Sequence, residues 1–370
     1  MALAIYRKYR PRTFEELLGQ EIISRILKNA ASQNKFSHAY LFSGPRGSGK
    51  TTAARLIAKA ANCQTRQKDA EFAKKGEPCN DCPACLAINQ GQALDVIEID
   101  AASNRGIDEI RNLKESVRLS PTSFRRKIFI IDEVHMLTKE AFNALLKTLE
   151  EPPEHVILIL ATTEFEKIPA TIVSRTQQFH FQKIPLIQIR DKLKKISENE
   201  KIEISSGALE LIAASAEGSF RDAESLLDQL LSFGYQKIGI DEVEKMVGKV
   251  TLSKIAAFAE TLLKGKLDEA LKKLAEIEDG GYNLAQFNKD LIHYLRKVLV
   301  LKFEPGLEKA FAEELTPEAL GKIKEHSHLA QEKHLELLKA LIKAYSQMRY
   351  SQFPIIPLEV AIIEGLKELA

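Results

Sequence analysis

A glycine-rich stretch near the start of the chain has residue types that bind nucleotide phosphates. Residues 44–51 match the pattern G-x-x-x-x-G-K-[ST], with an apolar run before them and a helical pattern after them. Glycines let backbone N–H groups surround phosphates, and a helix N-terminus adds partial positive charge. Without that context the stretch would be an ordinary strand–helix turn with no ligand. The predicted phosphate-binding residues are Gly44, Pro45, Arg46, Gly47, Ser48, Gly49, Lys50, Thr51 and Thr52.

Two carboxylates follow an apolar run farther along the chain. Lys127–Ile131 reads as a strand, and Asp132 and Glu133 come directly after it. Such a pair by itself usually indicates an acidic surface turn. After a phosphate-binding loop in an alternating α/β chain it indicates hydrolysis of a nucleoside triphosphate. We expect Lys50 to contact the β- and γ-phosphates, Thr51 and Asp132 to bind Mg²⁺, and Glu133 to polarise the attacking water.

All four cysteines lie within one short segment, at Cys63, Cys79, Cys82 and Cys85. Two C-x₂-C steps present thiolates to one tetrahedral centre, and Cys63 supplies a fourth ligand. With no ligand position left open, such a site is structural rather than catalytic. Disulfides are disfavoured in a cytosolic protein. We therefore predict a structural Zn²⁺ site within about residues 63–85.

The first half of the chain alternates apolar strands with amphipathic helices, which is typical of a parallel sheet covered on both faces. The predicted strands are Ala39–Ser43, Val96–Asp100, Lys127–Ile131, Val156–Ala161 and Gln177–Phe181. The predicted helices between them are Ile22–Asn29, Lys50–Asn62, Ile107–Val117 and Glu140–Glu150. After Pro185 the pattern becomes almost entirely helical. We predict an α/β nucleotide-binding domain at 1–183, a small helical lid at 184–247 and an all-α domain at 248–370.

Composition and charge agree with a globular protein that handles phosphate at one end. The chain has 370 residues, 45% of them hydrophobic and 28% charged, which excludes disorder as its main state. Residues 1–60 carry 11 Lys or Arg against 3 Glu, whereas residues 245–370 carry 19 basic and 18 acidic side chains. A charge-rich thermophilic surface would explain the abundance of charge but not this asymmetry. No membrane-spanning run or export signal is evident, so we predict a cytoplasmic protein with no membrane partner.

Further stretches match one known family over nearly the whole chain. They are Arg7–Phe14, Gly19-Gln20, His38–Phe42, Ile97–Ser103, Asp132–Leu137, Phe142–His155, Ala161–Thr163 and Ile172–His180. With the phosphate-binding loop and the cysteines, they resemble the gamma/tau subunits of the bacterial DNA polymerase III clamp loader, a family of AAA+ ATPases. The run Phe142–His155 is the most specific to that family.

The resemblance implies further roles in ATP hydrolysis. Arg175 would be an arginine finger that acts on ATP bound to a neighbouring subunit. Thr162 or Thr163 would be the sensor-1 residue, with Thr163 preferred, and Arg221 would be the sensor-2 residue. The residues bordering the adenine would be Ala4, Tyr9, Arg10 and Pro11.

The resemblance also implies partners. The last domain would be the collar of a pentameric ring that includes the delta and delta prime subunits. The ring would open the beta sliding clamp and load it on primer–template DNA, and accessory subunits would contact single-strand binding protein. Residues Ala102–Arg111, with Arg105 and Arg111, would touch DNA phosphates.

Two departures from the family pattern are visible. Thr176 stands where a cysteine often follows the Ser-Arg pair, which leaves Arg175 unaffected. The stretch Gln64–Pro78 lengthens the gap between the first two cysteines, and we expect it to form a surface loop.

The chain lacks the polymerase- and helicase-binding domains of the family's long form, so we expect either a short form or part of a longer protein.

Two other functions remain open at the level of the sequence. One is a different AAA+ motor, for branch migration or helicase loading, which the cysteine segment and Ser174-Arg175-Thr176 disfavour. The other is a non-hydrolysing scaffold similar to delta prime, which the presence of Lys50, Thr51, Asp132 and Glu133 disfavours. Polymerase chemistry within this chain is rejected, because no separated carboxylates of a two-metal site are evident.

Overall fold

A five-stranded parallel sheet forms the centre of the first half of the protein. The computed structural model describes residues 4–103, 113, 115–234, 237–248 and 250–367, apart from the side chains of 313 and 314. The strands lie in the order β2-β3-β4-β1-β5. Their bounds are β1 Ala39–Ser43, β2 Val96–Asp100, β3 Lys127–Asp132, β4 Val156–Thr162 and β5 Gln177–His180. All five predicted strands are confirmed to within one residue at each end.

Helices cover both faces of this sheet. Within the described residues up to 184, the helices with both ends defined are Ile5–Lys8, Glu21–Ser32, Lys50–Asn62, Gln64–Lys68, Ala70–Lys74, Pro83–Gln90, Lys139–Glu150 and Ala170–Val173. Two short 3₁₀ turns, Val134–Met136 and Phe165–Lys167, follow β3 and β4. The predicted helix Lys50–Asn62 is confirmed at both ends, and most of the predicted helix Ile107–Val117 lies outside the described residues.

Alternating side chains of the buried strands build two cores. Tyr40 and Phe42 of β1 pack on one face of the sheet, and Leu41 packs on the other. Every residue of β1 and β4 is buried. Near-continuous apolar strands of this kind are expected when a parallel sheet is covered on both sides.

The chain divides into two compact units. One runs to Ile184 and also takes in Gly218–Asp222, and the other comprises Pro185–Glu217 and the residues from Ala223 onward. The separation of lid from collar at residues 247 and 248 therefore stays a prediction.

The remaining helices are Leu186–Glu200, Ser206–Ser215, Phe220–Ser232, Ile240–Val247, Leu252–Leu263, Leu267–Asp279, Leu284–Phe303, Glu308–Glu314, Pro317–Leu329, His334–Met348 and Ile355–Lys367. A 3₁₀ turn lies at Pro305–Leu307. Two short strands that the sequence did not predict, Glu203–Ile204 and Lys237–Ile238, pair in parallel. Among the described residues, none of the helices has both the length and the apolar character needed to cross a membrane.

The helices after Thr251 share one apolar core, which runs from Val250 to Leu366. Phe258 and Phe287 meet edge to face in it, with ring centroids 5.1 Å apart. Helices His334–Met348 and Ile355–Lys367 come close at Gly365, where an added Cβ would lie 2.6 Å from Leu337 Cδ1 and 3.1 Å from its Cα. The absence of a side chain at Gly365 therefore sets the spacing of this helix pair.

We predict that Gly365→Ala lowers the free energy of unfolding by about 1–2 kcal/mol, because the methyl group overpacks against Leu337. Gly321→Ala is the matched control. That glycine lies in helix Pro317–Leu329 with open space around it, so alanine should stabilise the protein by about 0.5–1 kcal/mol through helix propensity. Urea unfolding of both variants measures the two changes in the free energy of unfolding. Equal changes would contradict the close contact between Gly365 and Leu337.

Candidate nucleotide site and thiol cluster

The glycine-rich stretch, here called the phosphate loop (residues 44–51), connects β1 to helix Lys50–Asn62. Gly44, Gly47 and Gly49 all have positive φ angles, of 141°, 71° and 103°. A Cβ at Gly47 would overlap the Ser219 hydroxyl, and one at Gly44 would overlap the carbonyl oxygen of Phe181. Backbone conformation favours glycine at all three positions, and close packing also requires it at Gly44 and Gly47.

Lys50 is folded back over the phosphate loop. Its Nζ donates hydrogen bonds to the carbonyl oxygens of Gly44 and Pro45, both at 2.8 Å. Burial lowers the pKa of Lys50, and the charges of Asp132 and Glu133 oppose that shift. The ammonium group therefore lies inside the loop, near both acidic residues at the end of β3.

Thr51 and Asp132 meet, although they are far apart in the sequence. Thr51 Oγ1 donates a hydrogen bond to Asp132 Oδ2 at 2.8 Å. The other carboxylate oxygen, Oδ1, accepts from the backbone N–H of Glu133 at 3.0 Å. A hydroxyl and a carboxylate are oxygen ligands of the kind that Mg²⁺ prefers, so this pair fits the predicted metal ligands.

Glu133 is held by a threonine of the neighbouring strand end. Its backbone is left-handed, with φ 49°, and its Oε2 accepts a hydrogen bond from Thr163 Oγ1 at 2.9 Å. Thr162 is fully buried, and its Oγ1 lies 3.0 Å from His135 Nδ1. Of the two sensor-1 candidates, Thr163 thus contacts the predicted catalytic carboxylate, and Thr162 contacts a histidine that the sequence analysis did not single out.

Arg175 makes its polar contacts with a different set of residues. Its Nη2 is 2.8 Å from Glu150 Oε1, and its Nη1 donates to the Thr171 carbonyl at 3.0 Å and to Ser174 Oγ. The side chain is 36% exposed. The structure therefore leaves Arg175 at the surface, just before β5.

Arg221 lies beside the N-terminal segment. Its guanidinium carbon is 5.4 Å from the centre of the Tyr6 ring, within cation–π range. Burial lowers the pKa of Arg10, and the positive charges of Arg55 and Arg221 lower it further. Arg10 is therefore part of a group of guanidinium side chains, of which the sequence analysis missed Arg55. The other residues predicted to border the adenine are partly buried: Ala4, Tyr9 and Pro11.

The four cysteines gather at one point. Their Sγ atoms all lie within 4.8 Å of one another, and those of Cys79 and Cys85 are 4.0 Å apart. Four sulfurs at about 2.3 Å from a tetrahedral zinc would be about 3.8 Å apart. The backbone N–H groups of Cys79 and Cys82 donate to the Sγ atoms of Cys63 and Cys79, as expected where sulfur carries negative charge. The cluster is compatible with a tetrahedral metal ion.

The stretch Gln64–Pro78 is not the surface loop that the sequence analysis predicted. It contains helices Gln64–Lys68 and Ala70–Lys74, and Arg66 is buried, donating to the carbonyl oxygens of Ala31 and Ala60. Glu77 Oε2 accepts from the Phe14 backbone N–H at 2.7 Å. The prediction failed because every charged residue of the stretch was taken as solvent-exposed, whereas Arg66 and Glu77 satisfy backbone groups of the sheet domain.

Lys59 provides a further link that the sequence did not reveal. It is 1% exposed, and its Nζ donates to the Arg12 carbonyl at 2.9 Å and to Asn80 Oδ1 at 2.6 Å. Burial lowers its pKa to about 8. The helix after the phosphate loop is thus joined to both the cysteine segment and the N-terminal segment.

Residues 104–112, including Arg105 and Arg111 of the predicted DNA contact, lie outside the described residues.

Three family models match successive parts of the chain. Residues 19–185 match "DNA polymerase III, delta subunit". Residues 188–236 match "DNA polymerase III clamp loader subunit, ATPase lid domain". Residues 238–367 match "DNA polymerase III subunits gamma and tau domain III".

Several curated proteins are similar over most of the chain. DNA polymerase III subunit tau of Bacillus subtilis is 45% identical over 361 residues, covering 98% of this chain and 62% of that protein. DNA polymerase III subunit gamma/tau of Mycoplasma genitalium is 40% identical, with 96% and 61% covered. Subunit tau of Escherichia coli is 40% identical, with 81% and 46% covered. The chain thus spans less than two thirds of the length of these relatives.

Proposed function

This chain belongs to the gamma and tau family of DNA polymerase III subunits, and we propose that it is an ATP-hydrolysing motor subunit of a clamp loader. The observation that carries the proposal is the meeting of Thr51 with Asp132 at 2.8 Å, beside a glycine loop and a held glutamate. These are the oxygen ligands and the base that phosphoryl transfer to water requires.

Each residue of the site has a defined task in this proposal. Backbone N–H groups of the phosphate loop and Lys50 Nζ bind the β- and γ-phosphates. Thr51 and Asp132 hold Mg²⁺, which when bound neutralises charge that develops on the phosphate oxygens. Glu133, oriented by Thr163, accepts a proton from the attacking water.

Arg175 acts on a neighbouring subunit. Phosphoryl transfer needs positive charge beside the equatorial oxygens. Arg175 is partly exposed and contacts Glu150, Thr171 and Ser174 rather than the phosphate loop, which supports delivery to another chain. Arg221 contacts the nucleotide of its own subunit from beside Tyr6, and Arg10 borders that nucleotide with Ala4, Tyr9 and Pro11.

The thiol cluster holds a structural Zn²⁺. The geometry of Cys63, Cys79, Cys82 and Cys85 supports four thiolate ligands with no open position, which suits a structural role. The buried contacts of Arg66 and Glu77 support a role in bracing the sheet domain.

The proposed partners follow from the family. Residues 184–247 act as a lid, and residues 248–370 as a collar that assembles with delta and delta prime subunits in a pentameric ring. ATP binding lets the ring open the beta sliding clamp and grip primer–template DNA through residues 102–111, with single-strand binding protein contacted through accessory subunits. As a replication subunit the protein would work in the cytoplasm.

We predict that Cys82→Ser releases the bound zinc and lowers the free energy of unfolding by more than about 2 kcal/mol, because loss of a bound metal is among the most destabilising changes. Nucleotide affinity per folded molecule should change much less. Metal analysis should give about one Zn²⁺ per wild-type chain. A strong chelator should lower the unfolding midpoint of the wild type but not of the variant. Wild-type protein purified metal-free without chelator would contradict the zinc assignment.

We predict that Lys50→Ala abolishes ATP binding, measured by calorimetry on the isolated chain, because charge at the β/γ bridge is no longer neutralised. Glu133→Gln should still bind ATP but slow its turnover by about 10²–10⁴-fold, since an amide cannot act as a base. Glu276→Gln, at an exposed glutamate of the last domain, is the control and should behave as wild type. A chain that binds ATP but never hydrolyses it, in any assembly, would instead be a scaffold.

We predict that Lys50→Ala and Arg175→Ala, each inactive alone, restore ATP hydrolysis when co-assembled. The first has an intact finger and the second an intact pocket, so mixed interfaces contain complete sites. The arginine contributes about 10³–10⁵-fold in turnover where such fingers act. Arg190→Ala, which removes an arginine paired with Asp191, is the control. Assemblies of this variant alone should hydrolyse ATP at the wild-type rate. Absence of recovery despite demonstrated co-assembly would make Arg175 a surface charge only.

A further inference from the structure

The aromatic ring of Tyr6 contacts a residue of the proposed nucleotide site but has no task in the function proposed above. Tyr6 belongs to the short helix Ile5–Lys8 near the start of the chain, and it is partly buried. The guanidinium carbon of Arg221 lies 5.4 Å from the centre of this ring, and that of Arg7 lies 5.7 Å from it. Both distances are within cation–π range. One ring therefore attracts two arginines, and one of these is the proposed sensor-2 residue.

Other guanidinium groups crowd around Arg221. Burial lowers the pKa of Arg10, and the charges of Arg55, Arg221 and Arg7 lower it further, whereas the charge of Glu98 opposes the shift. That carboxylate is already paired, because Glu98 Oε2 lies 2.6 Å from Arg55 Nη2. Like charges repel one another. The neighbouring arginines therefore favour a position of the Arg221 guanidinium group farther from the site.

The backbone that carries Arg221 is fixed against the phosphate loop by Ser219. This serine is buried, and its Oγ accepts a hydrogen bond from the Asp222 backbone N–H at 3.2 Å, which satisfies the start of helix Phe220–Ser232. The same Oγ lies so close to Gly47 that a Cβ there would overlap it. The backbone of Arg221 thus has a fixed place beside the loop, whereas its long side chain needs a second contact to hold the guanidinium group.

We propose that Tyr6 is a positioning residue that holds the guanidinium group of Arg221 beside the phosphate loop; this inference rests on the ATP-binding function proposed above. The electron-rich face of the ring attracts the guanidinium group and offsets part of the repulsion from the neighbouring arginines. Arg221 is then in place when the phosphates arrive, so less of the binding free energy is spent on ordering its side chain. Tyr6 acts on the nucleotide only through Arg221.

The ring of Tyr6, rather than its hydroxyl group, carries this role. The hydroxyl accepts a hydrogen bond from Arg7 Nε at 3.2 Å, and Arg7 is exposed. Tyr6→Phe removes this hydrogen bond and keeps the aromatic ring. Tyr6→Leu removes the ring but keeps an apolar side chain. The two substitutions therefore separate the cation–π contact from the hydrogen bond.

We expect Tyr6→Leu to weaken binding of a non-hydrolysable ATP analogue to the isolated chain by about three- to tenfold, as loss of a cation–π contact would. Calorimetry measures this affinity. Tyr6→Phe should bind within about twofold of wild type, because the ring remains. In a chain that already carries Arg221→Ala, Tyr6→Leu should cause no further loss, since its partner is absent. Tyr350→Leu, at a tyrosine that is 90% exposed, is the matched control and should bind as wild type.

Tyr6→Trp gives a readout that does not depend on nucleotide. The chain has no tryptophan, so this substitution supplies a single indole, which is the best aromatic partner for a guanidinium group. In protein without added nucleotide, the indole fluorescence should change when Arg221→Ala is introduced, because the two side chains are in direct contact. It should not change when Arg190→Ala is introduced instead.

Three results would each overturn the proposal. They are wild-type affinity in Tyr6→Leu, the same loss of affinity from Tyr6→Leu with and without Arg221, and indole fluorescence that does not respond to Arg221→Ala. A loss in Tyr6→Phe as large as that in Tyr6→Leu would assign the effect to the hydroxyl group and would also overturn it. A wild-type chain that binds no ATP, or binding that survives Lys50→Ala, would instead contradict the proposed function.

Discussion

The parallel register of three central strands is the constraint on which the rest of the site depends. Ser43 at the end of β1 is opposite Thr162 at the end of β4, and Ile131 of β3 is opposite Leu160 of β4. The carboxyl ends of parallel strands lie at one edge of the sheet. The phosphate loop, Asp132, Thr162 and Thr163 therefore meet at that edge, although they are far apart in the sequence. Ligands of open α/β sheets bind at this edge, where the strand order reverses.

Burial at that edge forces the polar groups to find partners within the protein. Lys50 donates to two loop carbonyls, Thr51 to Asp132, and Thr163 to Glu133. Each of these contacts uses an atom that the proposed chemistry needs for phosphate, metal or water. These hydrogen bonds hold the side chains close to the positions that the proposed chemistry needs, so we expect nucleotide to exchange their partners rather than to assemble the site.

The strands and the phosphate loop were predictable because local signals were sufficient. Apolar runs bounded by turns gave β1 to β5, and the glycine spacing gave the loop. Side-chain partners were not predictable in the same way. His135, Arg55 and Glu150 carry no distinctive spacing, and their roles arise from residues that the topology brings near them. The prediction of a surface loop at Gln64–Pro78 was wrong for a related reason. Arg66 and Glu77 are residue types that are usually solvated, but here each satisfies backbone groups of residues far away along the chain.

A structure of the chain with a non-hydrolysable ATP analogue and Mg²⁺ tests the nucleotide site most directly. We expect Lys50 Nζ to leave the carbonyl oxygens of Gly44 and Pro45 for the β- and γ-phosphates. Oxygens of Thr51 and Asp132 should both face the metal, with Glu133 beside the γ-phosphate. A nucleotide bound elsewhere, or phosphates in the loop with Asp132 turned away from the metal, would contradict the assignment.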